Sequence, residues 1–318
     1  MTTPEVTELV DRLRTLVEER YVFPDAAAEI SARLAARRDG YPTDLTALAA
    51  EVTTDLQSVN GDKHLRLLHH AEPLPEQVPG DDAAEYAAMA QWAERTCGGI
   101  AGARRLPGDV GLLEVTPVLF PAVLVGDVYA AAFTLLAPVR ALIVDLRGCL
   151  GGEPSAVSLF LSYLWDHEPV QLTGMYERAT DQVRQSWSHA HVPGRRFGRD
   201  RPLYVLTSGS TFSGGEALAY DVQQTGRGTV VGERTRGGAH PREAFRLHPH
   251  LEATISVARA VNPVSGTNWE SVGVSPDLAT SAEQALPTAY RAALEQVCAG
   301  NGPSAAEART ALDAGAPL

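Results

Sequence analysis

Residues 203–241 read LYVLTSGSTFSGGEALAYDVQQTGRGTVVGERTRGGAHP, and they are the most informative stretch of the chain. The apolar start predicts a strand over 203–207, which leads through a loop of small residues to Ser213 and a helix-compatible run over 214–224. At a helix N-terminus the backbone N–H groups point outward and the dipole favours negative charge. Ser213 therefore stands where a serine nucleophile and its tetrahedral oxyanion would be stabilised.

A purely structural interpretation of the same serine is also open. Ser213 and Glu216 form the pattern S-x-x-E, which is typical of a capping box and requires no chemistry. On these residues alone the structural interpretation is the stronger one. The other segments of the chain described below reverse that preference.

Composition limits the classes of partner. The 318 residues suffice for one large domain or two unequal ones, and 44% hydrophobic with 21% charged residues is ordinary for a globular protein. A formal net charge of −12 without a basic stripe argues against nucleic acid and anionic membranes as partners. No apolar run approaches the roughly 20 residues that a membrane helix needs.

The cysteines indicate the compartment. Cys97, Cys149 and Cys298 fit neither a metal knuckle nor a disulfide framework, so we expect no metal site and a reducing environment. The acidic, amphipathic N-terminus lacks the features of a signal peptide. These observations predict a cytoplasmic protein without a cofactor, and they leave the oligomeric state open, a homo-oligomer included.

The order of predicted elements indicates an α/β protein with a helical N-terminal domain. Residues 4–58 read as three helices, separated by turns at 23–24 and 41–44, and a short strand follows at 64–68. From about residue 109 strands alternate with helices, which predicts a mostly parallel sheet covered by helices. We expect strands near 110–115, 141–145, 169–174, 203–207, 228–232, 243–247 and 252–258, and helices over 121–136, 153–164, 213–224 and 282–298.

The same reading predicts four regions. Residues 1–70 form the helical domain, which ends in the short strand, and residues 71–108 form a Pro- and acid-rich linker with a connecting helix. Residues 109–300 form the α/β domain, in which 178–202 is a polar loop. Residues 301–318, rich in Ala, Gly and Pro, form a flexible tail.

Three further segments carry residues capable of chemistry. They are NGDKHL at 60–65, DLRGCLGG at 145–152 and NWESVGVSPD at 268–277. Together with T-x-S-G-G-E at 211–216 and V-G-E-R-T-x-G-G-A at 231–239, they follow the order of the motifs in tail-specific and tricorn-type serine peptidases. The chain resembles this family over roughly residues 5–280, and most of all its members related to interphotoreceptor retinoid-binding protein.

The resemblance implies a crotonase-like ββα catalytic core and a catalytic triad. It implies Ser213 as nucleophile, His64 of the D-x-H element as general base, and Glu270 as the carboxylate that orients the base. The chemistry suits these residue types, because a serine hydroxyl needs a base with a pKa near the working pH and the base needs a stabilising carboxylate. Since His64 ends the helical domain, the triad requires that domain to dock over the catalytic sheet.

The resemblance also implies an oxyanion hole. The backbone N–H of Gly214 would pair there with that of Gly151 or Gly152, although the two latter glycines could equally form only a turn. Asp145 and Arg147, which precede them, are expected to form a structural ion pair at a strand end.

Several positions depart from the family pattern. Tail-specific proteases with a Ser/Lys dyad place a lysine where this chain has Gly238, and Lys63 is the only lysine of the sequence. Lys63 also occupies the position where the tricorn pattern has a serine beside its histidine. Cys149 replaces an asparagine that the family usually has. Residues 71–108 are too short for a PDZ module, which in the family grips the substrate's C-terminus.

The sequence therefore favours a serine hydrolase acting on a peptide or a small acyl substrate. Two alternatives stay open at this point. One is a binding protein for a lipophilic small molecule on the same fold, since a fold does not fix a function. The other is an acyltransferase or cyclase that uses the same serine.

Overall fold

The chain divides into two compact units. The computed structural model describes residues 1–74 and 82–316. Unit 1 consists of Met1–Ala83, Gly174–Arg184 and Gly238–Val261, and unit 2 consists of Ala84–Thr173, Gln185–Gly237 and Asn262–Leu318. This division differs from the contiguous domains predicted at 1–70 and 109–300, because strands from two later segments belong with the N-terminal helices. Residues 75–81 of the predicted 71–108 linker lie outside the described residues.

Helices and strands follow one another along the chain as predicted in most places. The helices are α1 Thr3–Arg20, α2 Pro24–Arg37, α3 Leu45–Leu56, α4 Asp82–Arg95, α5 Ala122–Leu136, α6 Pro154–Ser162, α7 Gly214–Gln224, α8 Ala282–Cys298 and α9 Pro303–Asp313. The strands are β1 Arg66–His69, β2 Ile100–Leu106, β3 Val110–Val115, β4 Ala141–Asp145, β5 Gln171–Glu177, β6 Gln182–Trp187, β7 Leu203–Thr207, β8 Thr229–Gly232, β9 Arg242–His248, β10 Leu251–Ser256, β11 Ala258–Val261 and β12 Leu278–Ala279.

Unit 1 packs α1, α2 and α3 against an antiparallel sheet of strand order β1-β10-β9. The apolar stripe of α1 lies in this core, with Val6, Leu9, Val10, Leu13 and Val17 all at most 3% exposed. Asp44 caps α3, because its side chain accepts the backbone N–H of Ala47 at 2.9 Å. The burial of an amphipathic face, rather than helix propensity, stabilises these helices.

Unit 2 is built on a six-stranded sheet of order β12-β8-β7-β4-β3-β2. Strands β3, β4, β7, β8 and β12 run parallel to one another, and β2 is antiparallel to β3. Every residue of β4 and β7 is buried, as expected for central parallel strands. The prediction of a mostly parallel sheet in a mixed α/β fold is therefore confirmed.

Several elements differ from the sequence-based expectation, including the short strands β11 and β12, which were not expected. The predicted polar loop contains β6, whose largely exposed residues lack the apolar pattern of a buried strand. Strand β2 also lacks a buried apolar run, since Leu106 alone of its seven residues is buried. The predicted flexible tail contains α9, in which Ala305, Ala308 and Ala311 are buried at helical spacing. None of the described helices is both long and apolar enough to cross a membrane.

Candidate active site

Three of the sequence motifs lie at one edge of the unit 2 sheet. DLRGCLGG follows β4, T-x-S-G-G-E follows β7, and the V-G-E-R-T-x-G-G-A turn follows β8. Because β4, β7 and β8 are neighbouring parallel strands, their carboxyl ends meet at the same edge. Ligand sites of open α/β sheets lie at this edge, so the topology explains why these motifs can act together.

Ser213 sits at the N-cap of α7 in a strained backbone conformation. Its φ of 49° and ψ of −114° are unusual for a residue with a side chain. Such strain costs on the order of 1–3 kcal/mol and persists only where the surroundings impose it. The sharp turn from the loop into α7 presents Ser213 next to the helix N-terminus, as the sequence predicted.

Glu216 stabilises the turn that carries Ser213. Its Oε2 accepts the backbone N–H of Ser213 at 2.8 Å, so the capping box predicted from S-x-x-E is present. Its Oε1 accepts the Thr235 hydroxyl at 2.5 Å and the Gly237 backbone N–H at 2.6 Å. Glu216 is fully buried. The structural and chemical interpretations of Ser213 are therefore compatible, because the cap holds the serine and joins it to the turn after β8.

Gly151 and Gly152 lie against the start of α7. A Cβ atom on Gly151 would lie 3.1 Å from the Ser213 Cβ, and one on Gly214 would lie 2.8 Å from the nitrogen of Gly152. Both Gly151 and Gly152 have positive φ, 129° and 137°, which favours glycine. Within residues 1–74 and 82–316, the amides of Gly151, Gly152 and Gly214 have no hydrogen-bond acceptor in the structure. Backbone N–H groups without an acceptor are the kind of donor that an oxyanion hole requires.

The loop between Asp145 and Gly151 is held by a salt bridge and by backbone bonds. Arg147 binds the Asp145 carboxylate through two nitrogens at 2.9 and 2.6 Å, which is the predicted ion pair. Cys149 is fully buried, and its carbonyl accepts the Phe212 N–H at 3.1 Å. Burial raises the pKa of the Cys149 thiol to about 11, so it stays neutral near pH 7. Cys149 thus supports the serine loop as a small apolar residue.

The segment that carries Glu270 is also joined to the turn after β8. The Ser271 N–H donates to the Gly237 carbonyl at 3.3 Å. A Cβ on Gly273 would lie 2.2 Å from the Thr235 carbonyl oxygen, so this contact requires glycine. Glu270 is partly buried, and in unit 2 it is connected to Ser213 through Gly237 and Glu216.

His64 belongs to unit 1, whereas Ser213 and Glu270 belong to unit 2. Its side chain is 7% exposed, and its backbone N–H donates to Asp62 Oδ1 at 2.9 Å. Within unit 2 the structure brings together Ser213, Gly214 and the glycine pair that follows Cys149. The role of His64 as their partner stays a prediction.

Two structural features near the predicted residues are not evident from the sequence. The first is the second role of Glu216, which no local pattern could reveal because Thr235 and Gly237 lie 19 and 21 residues away in sequence. The second is a buried pair in unit 1, Asp62 with His240, 3.0 Å apart. The available signal was the position of each residue beside a recognised motif, D-x-H for Asp62 and G-G-A for His240.

Unit 1 also holds a group of histidines that could be considered for metal binding. His250 Nδ1 donates to the His70 carbonyl at 2.9 Å. The ring centroids of His69 and His248 lie 6.4 and 5.9 Å from that of His250. Among the described residues these side chains do not bring their ligand atoms together within the spacing of a metal site. The sequence-based expectation of no metal therefore stays a prediction.

Comparison with known proteins identifies the family. A model of peptidase family S41 matches residues 110–280, and a model of the N-terminal domain of this family in eukaryotic IRBP matches residues 2–96. The chain belongs to peptidase family S41. The boundary between the two matches lies near the start of the unit 2 sheet. The S41 match contains the three motifs at the carboxyl ends of β4, β7 and β8, an edge of the sheet that we call the serine edge.

Curated S41 relatives are named as C-terminal processing proteases. The chain is 32% identical over 178 residues to the chloroplastic C-terminal processing peptidase of Tetradesmus obliquus, covering 55% of this chain and 35% of the relative. It is 25% identical over 193 residues to the carboxy-terminal-processing protease of Bartonella bacilliformis, covering 59% and 42%. The chain thus matches less than half the length of these relatives.

Solved structures share the fold at low sequence identity. A putative peptidase from Parabacteroides merdae aligns with a TM-score of 0.58 at 18% identity, covering 88% of this chain and 90% of that one. The tricorn protease aligns with a TM-score of 0.57 at 15% identity, covering 90% and 35%. The photosystem II D1 C-terminal processing protease aligns at 0.53 and 16%, covering 87% and 93%.

Proposed function

We propose that this S41 protein is a serine hydrolase that cleaves a peptide or related acyl bond through an acyl-enzyme on Ser213. The observation that carries the proposal is the position of Ser213, on a strained turn at a helix N-terminus with the N–H groups of Gly214 and Gly151 or Gly152 beside it. A capping serine needs neither the positive φ nor the adjacent amides. An acyl-transfer nucleophile uses both.

In the proposed first half-reaction Ser213 Oγ attacks the carbonyl carbon of the substrate, and its proton passes to the His64 imidazole. The carbonyl oxygen becomes an oxyanion that accepts hydrogen bonds from Gly214 and from Gly151 or Gly152. When the tetrahedral intermediate collapses, the C–N or C–O bond breaks, and the leaving group takes the proton from the imidazolium. The product of this half-reaction is the acyl ester of Ser213.

In the second half-reaction water attacks the ester, His64 takes the water's proton, and the carboxylic acid leaves as Ser213 regains its hydrogen. Glu270 orients the imidazole and stabilises its cationic form in both halves. The family's lysine dyad has no candidate besides Lys63, because no other lysine exists in the chain. We propose His64, the histidine of the D-x-H element, as the general base because histidine is the usual base for a serine nucleophile.

The substrate that fits best is a short peptide or a small acyl compound. The relatives' names refer to C-terminal processing, and we extend to this chain only acyl-bond cleavage, since it matches less than half of their length. The sequence between His64 and the S41 match leaves no room for a PDZ module. A crotonase-like core and a cytoplasmic location belong to the same proposal as predictions.

The proposal is tested by labelling with a fluorophosphonate and locating the adduct by mass spectrometry. We expect the adduct on Ser213 in the wild-type protein, none in Ser213→Ala, and normal labelling in Ser210→Ala, which removes a hydroxyl from an exposed residue of the same loop. Labelling that persists in Ser213→Ala would refute the assignment. An absence of labelling in the wild type, combined with saturable binding of a fluorescent fatty acid, would support the lipophilic-ligand alternative.

The distinction between hydrolysis and acyl transfer needs a second measurement. A p-nitrophenyl ester is offered with and without an added primary amine, and the products are separated by chromatography. We expect free acid as the main product. An amide as the main product at millimolar amine would assign the acyltransferase alternative to the same serine.

A further inference from the structure

A buried network in unit 1 surrounds a carboxylate for which the proposed mechanism has no role. Asp62 is fully buried and His240 is 4% exposed. Asp62 Oδ2 accepts a hydrogen bond from His240 Nδ1 at 3.0 Å and one from the Tyr21 hydroxyl at 3.1 Å. The Tyr21 oxygen in turn accepts Asn60 Nδ2 at 2.7 Å. The donors hold one oxygen of a charged group that burial alone would strongly destabilise.

The protonation states within the network follow from its geometry. A carboxylate can only accept hydrogen bonds, so His240 carries a proton on Nδ1. Burial raises the pKa of Asp62, whereas the hydrogen bonds and charge of its partners, His240 first among them, lower it, and the net pKa lies below its ordinary value. Asp62 is therefore an ionised carboxylate at neutral pH, held by His240.

The other oxygen of Asp62 acts on the backbone of His64. Asp62 Oδ1 accepts the His64 N–H at 2.9 Å, which forms an Asx turn and explains why the D-x-H element has this spacing. The His64 carbonyl accepts the Thr254 hydroxyl of β10 at 2.6 Å. The peptide groups on both sides of the His64 Cα are thus fixed, and a shift of this residue would break a bond to a buried charge.

The position of His240 is fixed as well. The carbonyls on either side of it, in Ala239 and Pro241, accept the N–H groups of Ala260 and Val257 at 3.1 and 3.0 Å. Its ring also packs edge-on against Phe23, with 5.2 Å between the ring centroids. A histidine whose backbone and ring are both held can act as a fixed donor to Asp62.

We propose that Asp62 and His240 are positioning residues that hold His64 in the orientation its role as base requires. The inference rests on the proposed function of His64 and adds to it a pair of buried residues 178 positions apart in sequence. Neither residue needs to touch the substrate. His240 fixes the charge and orientation of Asp62, and Asp62 fixes the backbone turn that carries His64.

The test compares two substitutions of His240 that differ in one hydrogen bond. The amide nitrogen of an asparagine occupies nearly the position of Nδ1, so His240→Asn keeps the donor to Asp62, whereas His240→Leu removes it at similar size. We expect kcat to fall about 10²-fold in His240→Leu with little change in KM, because a small misplacement of a catalytic group costs this much. We expect His240→Asn to recover most of the loss.

A readout that does not depend on activity accompanies the kinetics. Amide hydrogen exchange of the peptide spanning 60–66 should be faster in His240→Leu and near the wild-type rate in His240→Asn. Asp62→Asn, which retains an oxygen for the His64 N–H, should lower kcat less than Asp62→Ala. Melting curves show whether each variant is folded, and only variants folded at the assay temperature are compared.

The outcomes separate this inference from the proposed function. If Ser213→Ala and His64→Ala remain active, the proposed function is wrong. If both are inactive but His240→Leu keeps its kcat, only the positioning role is wrong. If His240→Asn is as impaired as His240→Leu while its exchange rates are normal, the ring of His240 itself takes part in proton transfer, which also overturns the positioning role.

Discussion

Glu216 Oε2 lies 2.8 Å from the backbone nitrogen of Ser213, while the other oxygen of the same carboxylate binds Thr235 and Gly237. One buried side chain therefore caps α7 and connects two turns of the serine edge. Ser271 donates to the Gly237 carbonyl, so the segment containing Glu270 is joined to the same turn. This relationship makes Glu216 a structural requirement for the arrangement of the proposed site within unit 2.

We expect Glu216→Gln to destabilise the protein by about 1–3 kcal/mol, the usual cost of an unsatisfied buried polar group. If the amide oxygen keeps the hydrogen bonds from Thr235 and Gly237, the amide nitrogen faces the Ser213 N–H. Both groups are donors, so neither is satisfied. The free energy of unfolding in urea and the rate of phosphonylation of Ser213 should both fall. Glu233→Gln is the matched control, because Glu233 also accepts two backbone N–H groups but is partly exposed. Equal effects of the two substitutions would contradict the prediction.

The strained backbone of Ser213 predicts an unusual order of stability among its variants. An alanine at position 213 keeps the strain of the positive φ, whereas a glycine relieves it. We therefore expect Ser213→Gly to be more stable than Ser213→Ala, by about 1 kcal/mol more than the same pair of variants differs at an ordinary N-cap. Ser281 provides the reference, because it caps α8 with a φ of −66°. The measured quantity is the difference in unfolding free energy between the Gly and Ala variants at each position. A difference at Ser213 no larger than that at Ser281 would show that the turn stores no strain.

Lys63 lies beside the proposed base and is the single lysine of the chain. Lys63→Arg therefore gives a lysine-free protein, and arginine stays protonated at any working pH. We expect the variant to keep most of its phosphonylation rate, since His64 is the residue proposed to take the proton from Ser213. Loss of all activity in Lys63→Arg, with an intact fold, would assign the base to the lysine.

Much of the fold could be predicted from local sequence, and the exceptions have a physical cause. The central strands β4 and β7 are continuous apolar runs, and α1 has a clear apolar stripe. The spacing of the apolar residues and the length of each run therefore identify these elements. Strand β6 has no such run because its side chains are mostly exposed, and α9 uses small alanines that resemble an unstructured tail. Local pattern carries no information about either case.

The candidate site shows the same limit. Ser213, Gly214 and Asp145 could be placed because each lies within a short motif at a strand end or helix start. The bond between Asp62 and His240 joins residues far apart in the chain, and only the folding of β1, β9 and β10 into one sheet brings their segments together. Long-range pairs of this kind cannot be inferred from a single sequence without a family pattern that names them.

Asp221 in α7 gives a prediction for the dependence of stability on pH. Its Oδ1 accepts the Thr173 N–H and hydroxyl at 2.9 and 2.7 Å and the Asn262 amide at 3.1 Å, and the residue is 1% exposed. Burial raises the pKa of Asp221 from 3.8 to about 6, and the three hydrogen bonds lower it only partly. The folded state therefore holds this proton over a pH range in which the unfolded chain has lost it.

The sign of the effect follows from this difference. The stabilising contribution of protonated Asp221 is complete below about pH 4 and is lost as the pH rises through about 6, with a total change of about 3 kcal/mol for two pKa units. Asp221→Asn keeps an oxygen for the three donors and does not titrate. The stability of the variant relative to the wild type should thus increase between pH 4.5 and 7.5, as measured by urea unfolding. Asp25→Asn, at an exposed carboxylate, controls for the loss of one negative charge. A difference between Asp221→Asn and wild type that stays constant across this range would show that Asp221 is ionised throughout, and that its three donors outweigh its burial.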